Sequence, residues 1–316
     1  MQFENPVSFE QFMARALHDP HHGYYARQIS GVGRRGDFTT APMLSETLAR
    51  AIAAWAARAL RETGCRDLIE IGPGEGTLAA ATHGFLPWQL RWQTRLHLVE
   101  SSQPLAGRQR ALLRKRACWH GSMAEALQAC RGRAVIFSNE LVDAFPVRRF
   151  QKTALGWQEL AVEFGENQRP REFLLPPAPL PESTGFSAAH PLGQLIEVHE
   201  SYQRYLAGWL PAWTAGRLLT IDYGAPAATL YHRRPRGTIR GYLLHQRIEG
   251  PAIYDHPGRQ DLTADVNFTD LQNWSAAWVG GQKLMTLREF LPSSPDALLQ
   301  DAHGAGDAFR VLEQWK

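Results

Sequence analysis

Cysteine is scarce in this chain: Cys65, Cys118 and Cys130 are the only three in 316 residues, and no two are spaced Cys-x-x-Cys. A sparse, odd set excludes a disulfide-stapled scaffold and a cysteine-built zinc site, and it points to reduced thiols in a cytosol-like compartment. Long apolar runs are missing too, since no stretch reaches the ~18 residues of a membrane span. The first residues, Met1-Gln2-Phe3-Glu4-Asn5-Pro6, show neither a basic start with an apolar run nor an arginine-rich character, so no signal or transit peptide is expected. These absences lead to the expectation of a cytoplasmic protein with no membrane span. Charge of one sign is lacking as well: a net charge of +3 and an isoelectric point of about 8.8 are too mild to argue for nucleic acid. No metal is expected, because His18, His21 and His22 have no clear carboxylate partner.

What is present is globular. With 44% hydrophobic and 21% charged residues the chain can bury a large core, as one α/β domain or a domain with an inserted lobe. Basic residues gather twice, at Arg108, Arg110, Arg114, Lys115 and Arg116, and at His232, Arg233, Arg234 and Arg236. Such groups are usually solvated faces; the sharper alternative is a docking surface for an acidic partner.

The most informative run is Leu68-Ile69-Glu70-Ile71-Gly72-Pro73-Gly74-Glu75-Gly76-Thr77-Leu78, followed by Leu96-His97-Leu98-Val99-Glu100. An apolar strand entering a glycine turn and a helix, with a second strand ending in a carboxylate, is how an open α/β sheet holds an adenosine-containing ligand. The glycines read G-x-G-x-G, with Thr77 where the dinucleotide fingerprint would place its last glycine. This tighter turn has no pyrophosphate to cradle and suits S-adenosylmethionine (SAM), whose methionine portion needs close backbone approach. Glu70 is placed to face the cofactor's positive charge. Glu100, 24 residues beyond Gly76, is placed to accept bonds from the ribose hydroxyls.

Along the chain, Ser8 with Gln11 forms a capping box for a helix ending at Asp19-Pro20, and an alanine-rich helix runs from about Ser45 to Thr63. Strands are expected at Leu68–Ile71, Leu96–Val99, Ala117–His120 and Ala134–Ser138, with helices between them, which predicts a parallel sheet with ligands at its carboxyl edge. That edge gathers Gly72, Glu100, Ser122 and Asn139. Residues from about 147 to 211 break the alternation and read as an insertion, with an antiparallel strand at Trp157–Phe164 and a proline-rich surface loop or lid from Pro176 to Pro191. The strand at Arg217–Gly224 resumes the sheet. The fourth parallel strand leads into Ser138-Asn139-Glu140-Leu141-Val142-Asp143-Ala144-Phe145-Pro146, which serves equally as a helix cap and as a set of catalytic groups.

Here the chain resembles the MidA-like family of SAM-dependent methyltransferases, relatives of a mitochondrial complex I assembly factor that methylates arginine. The resemblance rests on Gly23-Tyr24-Tyr25, Gly36-Asp37-Phe38-Thr39-Thr40-Ala41-Pro42, the Glu70–Leu78 turn, Val99-Glu100-Ser101-Ser102 and Asn139–Pro146. It continues through Trp157-Gln158-Glu159, Ile221-Asp222-Tyr223-Gly224, Arg240-Gly241-Tyr242 with His245, and Pro257-Gly258 to Phe268. It implies a class I methyltransferase, Rossmann-like α/β, with a mostly parallel seven-stranded sheet. One domain would span 1–316, with an N-terminal helical extension over 1–64, a core over 65–146 and 212–316, and an inserted lobe over about 147–211. The implied SAM site is Asp37, Thr39, Glu70, Gly72, Pro73, Gly74, Gly76, Thr77, Glu100, Ser101, Ser122, Met123 and Asn139. The implied catalytic residues are Asn139, Glu140, Asp143 and Asp222. A protein partner, such as a complex I subunit or another acidic protein, is implied as methyl acceptor, and no nucleic acid. The chain departs from the family pattern at Glu75 and at Ala79-Ala80-Ala81, and the alternative of a non-catalytic assembly factor on the same fold stays open.

Other methyl-transfer chemistries fit less well. A DNA amino-methyltransferase needs Pro-Pro and an aromatic residue after its Asn or Asp, whereas Glu140-Leu141 follow Asn139. A cytosine-C5 enzyme needs a nucleophilic cysteine, and none here has that setting.

Overall fold

The computed structural model describes residues 5–28, 46–165, 170–244, 246–291 and 305–316. Asp37 and Thr39, expected in the cofactor site, and His245, part of the family resemblance, lie outside the described residues. The chain divides into two compact units: Met1–Phe38, Val142–Arg204 and Gly224–Leu271 form one, and Thr39–Leu141, Tyr205–Tyr223 and Gln272–Lys316 the other.

The second unit holds the large sheet. Its strands are β1 (Asp67–Ile71), β2 (Arg95–Val99), β3 (Cys118–His120), β4 (Val135–Asn139), β5 (Arg217–Ala225), β6 (Gly281–Thr286) and β7 (Phe309–Trp315). They lie in the order β6-β7-β5-β4-β1-β2-β3, and the two-residue strand Val266–Asn267 adds to the end of β5. From β5 to β3 all pairs are parallel, while β7 runs antiparallel to β5 and to β6. The expected mostly parallel seven-stranded sheet is thus a mixed one, in which β7 lies antiparallel between β5 and the edge strand β6.

Burial explains the strand composition. β1 is buried at every position, as a strand covered on both faces must be. Leu68, Leu98, Val135, Phe137, Leu219 and Ile221 join one core with Ile52, Trp55 and Leu60 of the helix α1 (Glu46–Thr63). Helices α2 (Thr77–Phe85), α3 (Trp88–Gln93), α4 (Gln103–Leu113) and α5 (Met123–Ala129) connect the parallel strands. Helix α4 ends at Leu113 and tightens into a 3-10 turn, Arg114–Arg116.

The first unit carries antiparallel sheets. Arg148–Thr153 pairs with Gly156–Glu163 and Leu195–Val198, and Val7–Ser8 adds beside Gly156–Glu163. A second sheet joins Arg240–Leu243 to Gln246–Ile248 and Asp261–Thr263. Ser8 and Gln11 form the expected reciprocal cap on the helix Phe9–His18. The proline-rich loop carries a turn at Thr184–Phe186, whose Phe186 ring meets Phe150 and Trp157 at 5.1 and 5.5 Å.

Candidate active site

Strand register builds the site. Beyond the last paired residues the ladder continues: Gly72 N–H donates to Val99 O (3.0 Å), Glu100 N–H to His120 O (3.0 Å) and Glu140 N–H to Ile221 O (2.9 Å). Glu70 is opposite Leu98 and Phe137, so the two-residue side-chain period sends Glu70, Glu100 and Asn139 to one face of three adjacent strands.

The glycine turn is shaped by left-handed backbone. Gly72, Gly74 and Gly76 have φ of 63°, 56° and 81°. A Cβ on Gly72 would stand 2.6 Å from Leu141 Cδ1, and one on Gly76 would stand 3.1 Å from Gln109 Cγ. At Gly74 no heavy atom of the described residues lies within 4 Å of a Cβ. The first and third glycines therefore make room for the protein, whereas the second leaves an open approach. Pro73 is buried between them, and Thr77, at the helix start, is exposed.

Electrostatics mark the two acids. Glu70 is 2% exposed, and its Oε2 has no hydrogen-bond partner among the described residues. Burial, opposed by the Ala79 N–H and reinforced by the charge of Glu100, pushes its pKa up to about 8. Burial also raises Glu100, although it accepts bonds from the Ser102 N–H (2.7 Å) and Gln109 Nε2 (3.0 Å). Ser101 is exposed, Ser122 caps α5 by accepting from the Glu125 N–H (3.3 Å), and Met123 is buried in the core.

The corner after β4 is strained. Glu140 has φ of 49°, a left-handed conformation that costs a residue with a Cβ about 1 kcal/mol. Asn139 Nδ2 donates to Glu140 Oε1 (3.1 Å), while the buried Asn139 Oδ1 has no partner among the described residues. Asp222 holds the corner by its oxygens: Oδ2 accepts from the Leu141 N–H (3.1 Å) and Oδ1 from the Tyr223 N–H (2.9 Å). Asp143 belongs to the first unit, where it is buried and accepts from the Thr263 hydroxyl (2.7 Å). Burial raises its pKa against that bond.

One residue escaped the sequence reading. Gln109 is fully buried; its Nε2 donates to Gly74 O (2.7 Å) and Glu100 Oε2, and its Oε1 accepts from the Trp119 indole (3.1 Å). Its signal was a polar residue at an apolar-stripe position of α4, in register with Leu105, Ala106 and Leu113. A second polar cluster sits where β1 and β2 begin. His97 Nε2 lies 2.8 Å from Asp67 Oδ1 and 3.7 Å from Cys130 Sγ, and Arg95 bonds both Asp67 oxygens. Burial would raise Asp67, but the bonds from His97 and Arg95 hold it below the usual carboxylate range. Cys130 thus has partners that its sequence spacing did not reveal.

The sheet order, the acid-glycine turn on the central strand and the second acid on its neighbour define a methyltransferase-like α/β fold. The orphaned Glu70 oxygen, the orphaned Asn139 oxygen and the open approach at Gly74 fit SAM, a cationic ligand with a ribose. The chain belongs to a family of S-adenosyl-L-methionine-dependent methyltransferases, whose sequence profile matches residues 51–284. It is 28% identical to the rat protein arginine methyltransferase NDUFAF7, mitochondrial, over 90% of this chain and 70% of that one. The zebrafish counterpart is 27% identical over 90% and 72%. A Burkholderia thailandensis protein whose crystal structure holds S-adenosyl-homocysteine superposes with a TM-score of 0.84 at 26% identity, covering 98% of this chain and 88% of that one. These relatives overturn the expected cytoplasmic placement, since both arginine methyltransferases are mitochondrial. Few cysteines and a globular composition carry no cellular address.

Proposed function

We propose that this chain transfers the methyl group of SAM to an arginine side chain of a partner protein. The observation that carries the proposal is the Asn139-Glu140 corner, a carboxylate held in strained backbone at the carboxyl end of the sheet. The names of the relatives at 27–28% identity support arginine as the acceptor. Glu70 and Glu100 would hold the cofactor's cationic and ribose ends, and Asn139 Oδ1 would accept a further bond from it. Bound SAM supplies a methyl group already activated by its sulfonium.

The protein has the harder task on the acceptor side. An arginine is protonated in water, with a pKa above ~12, so it must be held with its charge drawn away from the reacting nitrogen. Methylation forms a carbon–nitrogen bond, breaks the carbon–sulfur bond and leaves one guanidinium proton to be lost. Glu140 is the group we assign to orient the guanidinium and receive that proton, with Asn139 fixing its carboxylate. Asp222 is a positioning residue, because both its oxygens accept backbone N–H bonds at this corner. Asp143 has no direct role in this scheme.

The decisive experiment compares the parent protein with Glu140→Gln, by calorimetric titration with SAM and by label transfer from methyl-labelled SAM to protein. A respiratory complex I subunit is the first substrate to try, from the family resemblance. Cofactor affinity is expected to stay the same while transfer falls about 10²- to 10⁴-fold. Transfer at the parent rate would overturn the role of Glu140. A parent protein that binds SAM yet labels no protein would favour the assembly-factor alternative.

A further inference from the structure

From Gly76 to Ala124 the chain has one acidic residue, the buried Glu100, against seven arginines and lysines. Two of the seven are neutralised locally, Arg95 by Asp67 and Arg108 by Glu75. The other five, Arg91, Arg110, Arg114, Lys115 and Arg116, are exposed and make no ion pair among the described residues. Beside them α3 presents Trp88 and Trp92, one turn apart, 65% and 82% exposed, and α4 presents Leu112 at 41%. Strand register gathers the patch: His97 is opposite Cys118 in parallel strands, so Arg91 and Trp92, just before β2, and Arg114–Arg116, just before β3, stand at the same end of the sheet. Arg116 donates to Leu112 O (3.1 Å).

We propose that this face docks on an anionic lipid bilayer, with Trp88, Trp92 and Leu112 entering the interfacial layer and Arg91, Arg114, Lys115 and Arg116 meeting the headgroups. Indole rings favour the bilayer interface, where the apolar body is buried and the N–H stays wet. Lysines and arginines at the rim add attraction to anionic lipid within a Debye length. A nucleic acid or an acidic protein would use the cations, but a phosphate backbone or carboxylate surface offers nothing to the exposed leucine. A bilayer takes all three kinds of side chain at once.

The test is sedimentation of the whole protein with phosphatidylcholine vesicles, with and without phosphatidylserine, at low and high salt. Pelleting is expected with the anionic vesicles only and is expected to weaken with salt. Replacing three cations together, Arg114→Gln, Lys115→Gln and Arg116→Gln, should lower partitioning roughly 100-fold. The double variant Trp88→Ser, Trp92→Ser should lower it at least about tenfold with the charge intact. Unchanged SAM titration shows that each variant is folded. Equal pelleting on neutral vesicles, no pelleting on either, or tryptophan variants that bind like the parent would overturn the proposal. So would capture by RNA or by polyglutamate in preference to the anionic vesicles.

Discussion

With Glu70 holding the cofactor as proposed, cofactor binding is expected to depend on pH. Burial lifts its pKa from 4.5 to about 8, so the native chain keeps a proton that the unfolded chain releases at lower pH. Its contribution to stability is therefore complete below pH 4.5 and is lost as pH rises through about 8. A cationic cofactor favours the ionised carboxylate and expels that proton. SAM affinity is expected to rise with pH up to about 8, by at most tenfold per unit. Titrations in buffers of different ionisation enthalpy count the proton, and Glu70→Gln should flatten the dependence. The glycines separate architecture from ligand approach. Gly72→Ala meets Leu141 at 2.6 Å and is expected to cost about 2–3 kcal/mol of stability. Gly74→Ala meets nothing among the described residues and should cost about 1 kcal/mol through its positive φ, yet it should weaken SAM binding more than Gly72→Ala does. Thermal unfolding and SAM titration of both variants check this contrast.

At the scale of elements, α4 does more than connect two strands. Through Gln109 it ties the carbonyl of Gly74 to the carboxylate of Glu100, so the helix fixes the distance between the turn and the second acid. Gln109→Leu keeps the volume and removes these bonds. Stability is expected to fall by about 1–3 kcal/mol, and SAM affinity by more than tenfold, as read by chemical denaturation and titration. These elements were legible because their signals are local: an apolar run such as Val135–Ser138, a glycine turn, and the capping box of Ser8 and Gln11. The end of α4 was less legible. Arg114 takes a positive φ there, and no glycine or proline announces the stop.

At the scale of the molecule, the second unit contains Glu70, Gly72, Glu100 and Asn139. SAM at about 100 times its dissociation constant is expected to stabilise the fold by about 2.7 kcal/mol, seen as a raised unfolding temperature. Hydrogen exchange should slow most between residues 67 and 141, and slowing confined to the first unit would contradict this placement. The insertion expected over about 147–211 falls mainly in the first unit, which also takes residues 1–38 and 224–271. Sequence patterning could not assign those outlying segments, because antiparallel pairings such as Val7 with Val162 join residues far apart in the chain.

The sequence by itself determined the parallel strands, the glycine turn, the place of both acids at the sheet edge and the cofactor, because each depends on short-range spacing: a strand period, a turn, a carboxylate at a fixed offset. Only the tertiary structure decided that β7 runs against its neighbours, that Asp222 holds backbone N–H groups, that Asp143 binds Thr263, and that Gln109 bridges the turn to Glu100. These are contacts between segments far apart in sequence, and a hydrogen bond across such a gap leaves no period, cap or spacing to be read beforehand.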